Sequence, residues 1–216
     1  MIVVIQCAGS KAHDAGHLLT AAGKPVLFFA HPEIAPADDA YVYARPDDDA
    51  GNGKSWRDVL LEYNRKSDNP YGLLPAYRLY GNPVYRRLVD TLGIGSVYIL
   101  SAGWGLMTAD FLTPYYDITF SPSARGPEGY KRRRKADKYR DFCMLPDSTD
   151  EEIFFVGSKD YVPLFCALTG KVKGRRKIFY NAAQAPQALG CETVKFKTPT
   201  RTNWHYECAV AFLESV

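Results

Sequence analysis

Short apolar runs recur along the chain, each closed by small or polar residues: 2–6, 25–30, 97–100, 152–156, 178–180 and 194–196. Their length and their β-branched and aromatic content predict buried strands. Between them, apolar residues recur at helical spacing. This predicts helices over 12–23, closed by Gly23, and from the N-cap Ser55 to about Arg65, with Trp56, Val59, Leu60 and Tyr63 as its core stripe. Further helices are predicted over 76–92 with a break at Gly81-Asn82-Pro83, over 158–169, and over 204–213 behind Asn203 as cap. Strands and helices alternating in this order predict an α/β fold: a single domain, 1–216, with a mainly parallel central sheet flanked by helices and opening on a βαβ unit.

The run 97–100 passes directly into Ser101, Ala102, Gly103, Trp104 and Gly105. Small residues permit a sharp turn and close approach of a ligand, and open α/β sheets bind ligands beyond the carboxyl ends of their strands, so a pocket is expected here. Asp110 and Asp117 follow among Trp104, Phe111, Tyr115, Tyr116 and Phe120. Carboxylates among aromatic rings suit electrostatic or acid chemistry beside a stacked base; the same residues equally suit a buried loop whose rings fill core.

Other stretches offer weaker signals. Gln6-Cys7-Ala8-Gly9-Ser10-Lys11 resembles a phosphate or sugar cradle but lacks the GxxxxGK[ST] spacing, and its plain alternative is a strand-to-helix turn with Lys11 solvated. Gly157-Ser158 can open a helix whose free amides favour an anion. Asn181, beyond the strand 178–180, can reach a base edge, and His205 falls in the first turn of the last helix, where a structural role is commoner than a catalytic one. Asp38, Asp39, Asp47, Asp48 and Asp49 lack the EF-hand pattern and read as a solvated loop rather than a cation site.

At 46% hydrophobic and 24% charged residues, the chain has ordinary globular composition, neither disordered nor membranous. No apolar run reaches the roughly 18 to 20 residues that span a bilayer, and no basic leader precedes Ile2, so a cytoplasmic location is expected. The five cysteines, Cys7, Cys143, Cys166, Cys191 and Cys208, lie far apart without a CxxC pair. They read mostly as buried thiols, not as a disulfide framework or a zinc site. A net charge of +3 names no partner, but its distribution does. Arg125, Lys131, Arg132, Arg133, Arg134, Lys135, Lys138 and Arg140 face only Glu128 and Asp137 between 125 and 140, with Tyr130 and Tyr139 interleaved. This predicts a basic helix that holds a phosphate backbone, with a merely solvated helix as the alternative.

Leu100-Ser101, Gly105-Leu106-Met107 and Pro114-Tyr115, followed by Asp117 and Thr119, resemble the YaaA-like superfamily. The turn from Cys7 to Lys11 and Tyr80-Gly81-Asn82-Pro83-Val84-Tyr85 support the likeness. The resemblance implies DNA as partner, a uracil-glycosylase-like α/β domain and N-glycosidic chemistry, in particular that of antiphage DNA glycosylases removing glucosylated hydroxymethylcytosine. The Gly-Gln-Asp-Pro-Tyr and His-Pro-Ser motifs of uracil glycosylases are absent, so their catalytic residues do not carry over.

Base excision needs an extruded nucleotide, a group that places water and stabilises a cationic sugar, and a donor for the leaving base. On this reading Asp117 or Asp110 places the water and stabilises the cationic sugar, Trp104 and Tyr115 stack the base, and Gln6, Asn181 or His205 contacts it as it leaves. Cys7, Gly9, Ser10, Ser101 and Gly103 complete the substrate site, and Lys131, Arg132, Arg133, Arg134 and Lys135 hold DNA. No metal or organic cofactor is required. The rival expectations are a non-catalytic DNA-binding stress protein and an enzyme of free nucleotides.

Overall fold

Ile2 to Ile5 are all buried, which a strand achieves only with cover on both faces. The computed structural model describes residues 1–12, 14–51, 53–124 and 126–215, so Arg125 of the basic tract, His13 of the first expected helix and Asn52 lie outside the described residues. Along the chain run β1 (Ile2–Gln6), β2 (Val26–Phe28), β3 (Val42–Ala44), α1 (Trp56–Tyr63), β4 (Leu74–Pro75), α2 (Ala76–Leu79), α3 (Val84–Leu92), β5 (Val97–Ser101), β6 (Gly105–Thr108) and β7 (Leu112–Thr113). Then follow β8 (Phe142–Cys143), β9 (Ile153–Val156), α4 (Val162–Leu168), β10 (Arg176–Tyr180), β11 (Glu192–Lys195) and α5 (Trp204–Leu213).

Among the described residues, seven strands form the central sheet in the order β11-β10-β9-β1-β5-β6-β8. Every neighbouring pair is parallel except β5 with β6, which run antiparallel with Ser101 opposite Gly105. Adjacent residues of β9 show the cover on both faces. Phe154 packs on Phe212 of α5, with ring centroids 4.8 Å apart, and Phe155 stacks on Phe165 of α4 at 4.7 Å. The expected α/β architecture, mainly parallel and flanked by helices, is therefore present.

The opening departs from the expected βαβ unit. The described residues of 12–23 form no helix, and β2 pairs with β3 in a separate parallel ribbon outside the main sheet. The backbone groups of this segment are taken by distant partners: Gly16 bonds Gly72 and Tyr115, and Leu18 accepts from Val26. Those bonds replace the i to i−4 ladder of a helix. Helix α1 does begin at Ser55, with a reciprocal bond to Asp58 that completes a capping box. The break at Gly81-Asn82-Pro83 separates α2 from α3.

Two arginines secure the turn from β5 to β6. Arg57, 2% exposed, donates Nη1 to the Trp104 carbonyl at 2.9 Å, Nη2 to the Gly103 carbonyl at 2.7 Å and Nε to Asp47 at 2.5 Å. Arg133 donates to the Ala102 carbonyl at 2.9 Å and, bidentately, to Asp141 at 2.8 and 2.6 Å. Gly105 needs its positive φ of 94°, and a Cβ there would lie 2.5 Å from the Phe142 backbone. Asp47 is thus an ion-pair partner of a buried guanidinium and not part of a solvated loop.

Candidate active site

From β1 the chain crosses to β5 on one side of the sheet, and later returns to β9 on the other side of β1. The carboxyl ends of β1 and β9 mark the switch point at which open α/β sheets bind ligands. A cleft of about 630 Å³ opens there. Four segments line it: Gln6 at the end of β1 with Cys7 and Gly9 beyond it; Asp117, Thr119, Glu128 and Lys131; Ser158, Asp160 and Tyr161 after β9; and Arg201, Trp204, His205 and Tyr206 at the start of α5.

The side chain of Gln6 is oriented by its neighbours. Its Oε1 accepts the Ser158 amide at 2.6 Å, which leaves its Nε2 to donate to His205 Nε2 at 3.3 Å. His205 therefore accepts at Nε2 and carries its proton on Nδ1. Burial pushes its pKa down from the usual 6.5 to about 4, so the imidazole is neutral at physiological pH. The unfolded chain binds this proton at higher pH than the native one. The resulting stability is full above about pH 6.5 and is lost as pH falls through about 4, a change of about 3 kcal/mol. His205→Gln should flatten this component, so urea denaturation of the two proteins between pH 7 and 4.5 should give converging stabilities. Parallel curves would refute it.

Asp117 projects into the cleft with its carboxylate 3.2 Å from Lys131 Nζ, and Lys131 also bonds Glu128 at 2.8 Å. Burial opposes the charge on Lys131, but the bonds to Glu128 and Asp117 outweigh it and raise its pKa. The amine of Lys11, only 7% exposed, bonds the Ala8 and Gly9 carbonyls at 3.3 Å and lies 4.4 Å from the centre of the Tyr116 ring. It is neither solvated nor offered to a phosphate. Burial lowers its pKa, and Asp117 is among the charges that oppose the shift.

Of the residues expected from sequence, Gln6, Cys7, Gly9, Asp117, Lys131 and His205 share this cleft. The others are placed elsewhere. Asp110 is exposed and follows the end of β6, where Ala109 bonds Val97 at the start of β5, so it sits at the opposite end of the strands from the cleft. Trp104 is fully buried, 5.0 Å from Phe28 and stacked on Phe142, so it has no free face for a base. Ser101 donates to the Tyr116 hydroxyl at 2.8 Å in a buried network with Tyr80, and the Gly103 carbonyl is taken by Arg57. The pocket expected at the end of β5 is thus filled by the protein's own side chains. Tyr115 is half-buried beside His17, with ring centroids 5.7 Å apart, and does not line the cleft. Ser10 is exposed, its carbonyl accepting from Gly81. Gly9 has open space around its Cβ position and no positive φ, so the cleft places no demand for glycine there. Asn181 donates to the Thr198 and Thr200 carbonyls at 3.5 and 2.9 Å, which ties down the loop leading to Arg201.

The basic tract is not an α-helix. A 3-10 turn over Gly126–Lys131 precedes an extended segment, with Thr119 bonding Lys131 and Arg133. Arg133 is buried on Asp141, Lys131 is held by Asp117 and Glu128, and Arg132 is half-buried, while Arg134 and Lys135 remain exposed.

Asp160, Tyr161, Arg201, Trp204 and Tyr206 enter the cleft without having been singled out as site residues, whereas Ser158, expected to open a helix with a free amide for an anion, gives that amide to Gln6, and the helix begins only at Val162. The Gly157-Ser158 strand end and the cap of α5 were the available signals. Among the described residues, no group of three or more His, Cys, Asp or Glu side chains is placed to hold a metal ion, and no helix is long and apolar enough to cross a membrane. No family model, curated protein or solved structure matches the chain.

Proposed function

We propose that this protein is a DNA glycosylase of uracil-glycosylase-like type that removes a modified base from phage DNA and leaves an abasic site. The observation that carries the reading is the shared cleft at the β1/β9 switch point, in which a held carboxylate, Asp117, joins an oriented amide and neutral imidazole, Gln6 and His205. A volume of about 630 Å³ falls within the range of ligand pockets and leaves room for an extruded nucleotide whose base carries a substituent. Asp117 stabilises the cationic sugar and orients water. Lys131 fixes that carboxylate, whereas Asp160 opens onto the cleft and onto two neighbouring grooves. Gln6 and His205 supply N–H groups toward a departing base. No step calls for a metal.

The adjoining groove shares Asp160 with the cleft and carries Lys135 and Lys159, which gives a DNA strand a basic path away from the site. Replacing both lysines with Gln should make the slope of log affinity against log salt shallower by about 1.8, equally for all duplexes. An unchanged slope would move the DNA path elsewhere. The inward-facing Arg133 and the occupied Lys131 reduce the cations left for phosphate, which favours as a second reading an enzyme of free nucleotides. Incubation with DNA containing glucosylated hydroxymethylcytosine, and separately with the corresponding nucleotide, decides between them. Free base and abasic sites from DNA support the first; base from the nucleotide alone supports the second; base from neither rejects both.

A further inference from the structure

Cys166, on α4, and Cys191, immediately before the edge strand β11, lie with their sulfurs 3.8 Å apart. The chain around them brings the two thiols together. Arg176 on β10 donates Nη1 to Thr169 Oγ1 at 3.3 Å, just beyond α4, and Nη2 to the Gly190 carbonyl at 3.1 Å, just before Cys191. Gly190 has a φ of 70°, and a Cβ there would meet Arg176 Nη2 at 2.5 Å. The positive φ favours glycine in the turn that leads into Cys191. Both thiols are partly exposed, and Cys166 lines the open groove that also carries Lys135 and Lys159.

The remaining cysteines differ. Cys7 and Cys208 are buried, and burial pushes Cys208 up to about 12. Cys143 is exposed but has no partner thiol among its contacts; it bonds the Leu145 and Leu168 carbonyls, and burial of its sulfur raises its pKa.

We propose that Cys166 and Cys191 form a reversible redox site, closing to a disulfide that fastens the 181–191 loop to α4. The inference is independent of the base-excision reading. A hydrogen bond from the Cys191 thiol, aided by the Arg176 charge, lowers the pKa of Cys166 to about 7 and makes it the attacking thiolate. With oxidised glutathione as oxidant, Cys166 Sγ attacks one glutathione sulfur. The glutathione S–S bond breaks, a glutathione thiolate leaves, and a mixed disulfide remains on Cys166. Cys191 then loses its proton and attacks Cys166 Sγ, releasing the second glutathione. The protein gives up two protons and two electrons, and one glutathione disulfide becomes two thiols.

The full chain, reduced and then exposed to oxidised glutathione, is alkylated and mapped by mass spectrometry. The expected product is a peptide pair joined through Cys166 and Cys191, reversed by dithiothreitol, with Cys7 and Cys208 unmodified in the folded protein. Cys191→Ser should trap glutathione on Cys166, and Cys166→Ser should leave Cys191 largely unreacted. Because the bond joins residues 25 apart, the oxidised protein should melt about 5 °C or more above the reduced one. A stable glutathione adduct on wild-type Cys166, linkage through Cys143, unreacted thiols in excess oxidant, or an unchanged melting temperature would each overturn the proposal.

Discussion

On the proposed base-excision reading, Asp117→Asn is expected to release base from glucosylated hydroxymethylcytosine DNA about a hundredfold or more slowly than the wild-type chain in single-turnover assays, with DNA affinity and melting temperature nearly unchanged. The carboxylate faces the cleft, and the proposed mechanism has it stabilise positive charge that develops on the sugar only in the transition state, so its loss should fall on turnover and not on binding. Asparagine keeps the shape and can still accept from Lys131, which also retains Glu128 as partner, so the fold has no reason to fail. Asp110→Asn serves as control and should be silent, because that side chain sits at the far end of the strands. Wild-type rates for Asp117→Asn would remove this carboxylate from the mechanism. Equal losses for both variants would mean that the assay reads folding instead of chemistry.

Arg57→Met is expected to cost about 3 to 5 kcal/mol in urea denaturation, the largest stability loss among the variants considered. The substitution removes the donors to the Gly103 and Trp104 carbonyls and leaves Asp47 without its 2.5 Å partner. A buried acceptor stripped of its donor costs more than the bond contributed when formed, because it is already out of water. The guanidinium also lies 5.6 Å from the centre of the Trp104 ring and 5.2 Å from that of Phe142, so its removal loosens the aromatic packing of the turn. Arg57→Lys keeps the charge but cannot direct three donors in a fork, and should recover only part of the loss. If lysine restores full stability, charge alone matters and the fork geometry does not.

Sequence pattern alone determined the α/β class, the strands β1, β5, β9, β10 and β11 to within a residue or two, and the helices α1, α3 and α5, because each is encoded by local apolar spacing; the expected side-chain cap is made at Ser55 of α1 but not at Asn203 of α5. The first expected helix failed because 12–23 spends its backbone groups on Gly72, Tyr115 and Val26, partners that no local window contains. Asp117 and Asp110 are indistinguishable as residue types. Only the return of antiparallel β6 carries Asp110 to the far end of the strands, while the pairing of Asp117 with Phe28 turns it toward the cleft. The basic tract posed the same difficulty: Arg133 reads like its neighbours until Asp141 and the Ala102 carbonyl are seen to enclose it. Composition counts charges, but their use depends on which are desolvated, and that is set by contacts remote in the chain. The site itself is of this kind. Gln6, Asp117, Ser158 and His205 are scattered along the chain, and only the strand order, with β1 between β5 and β9, places them around one cleft.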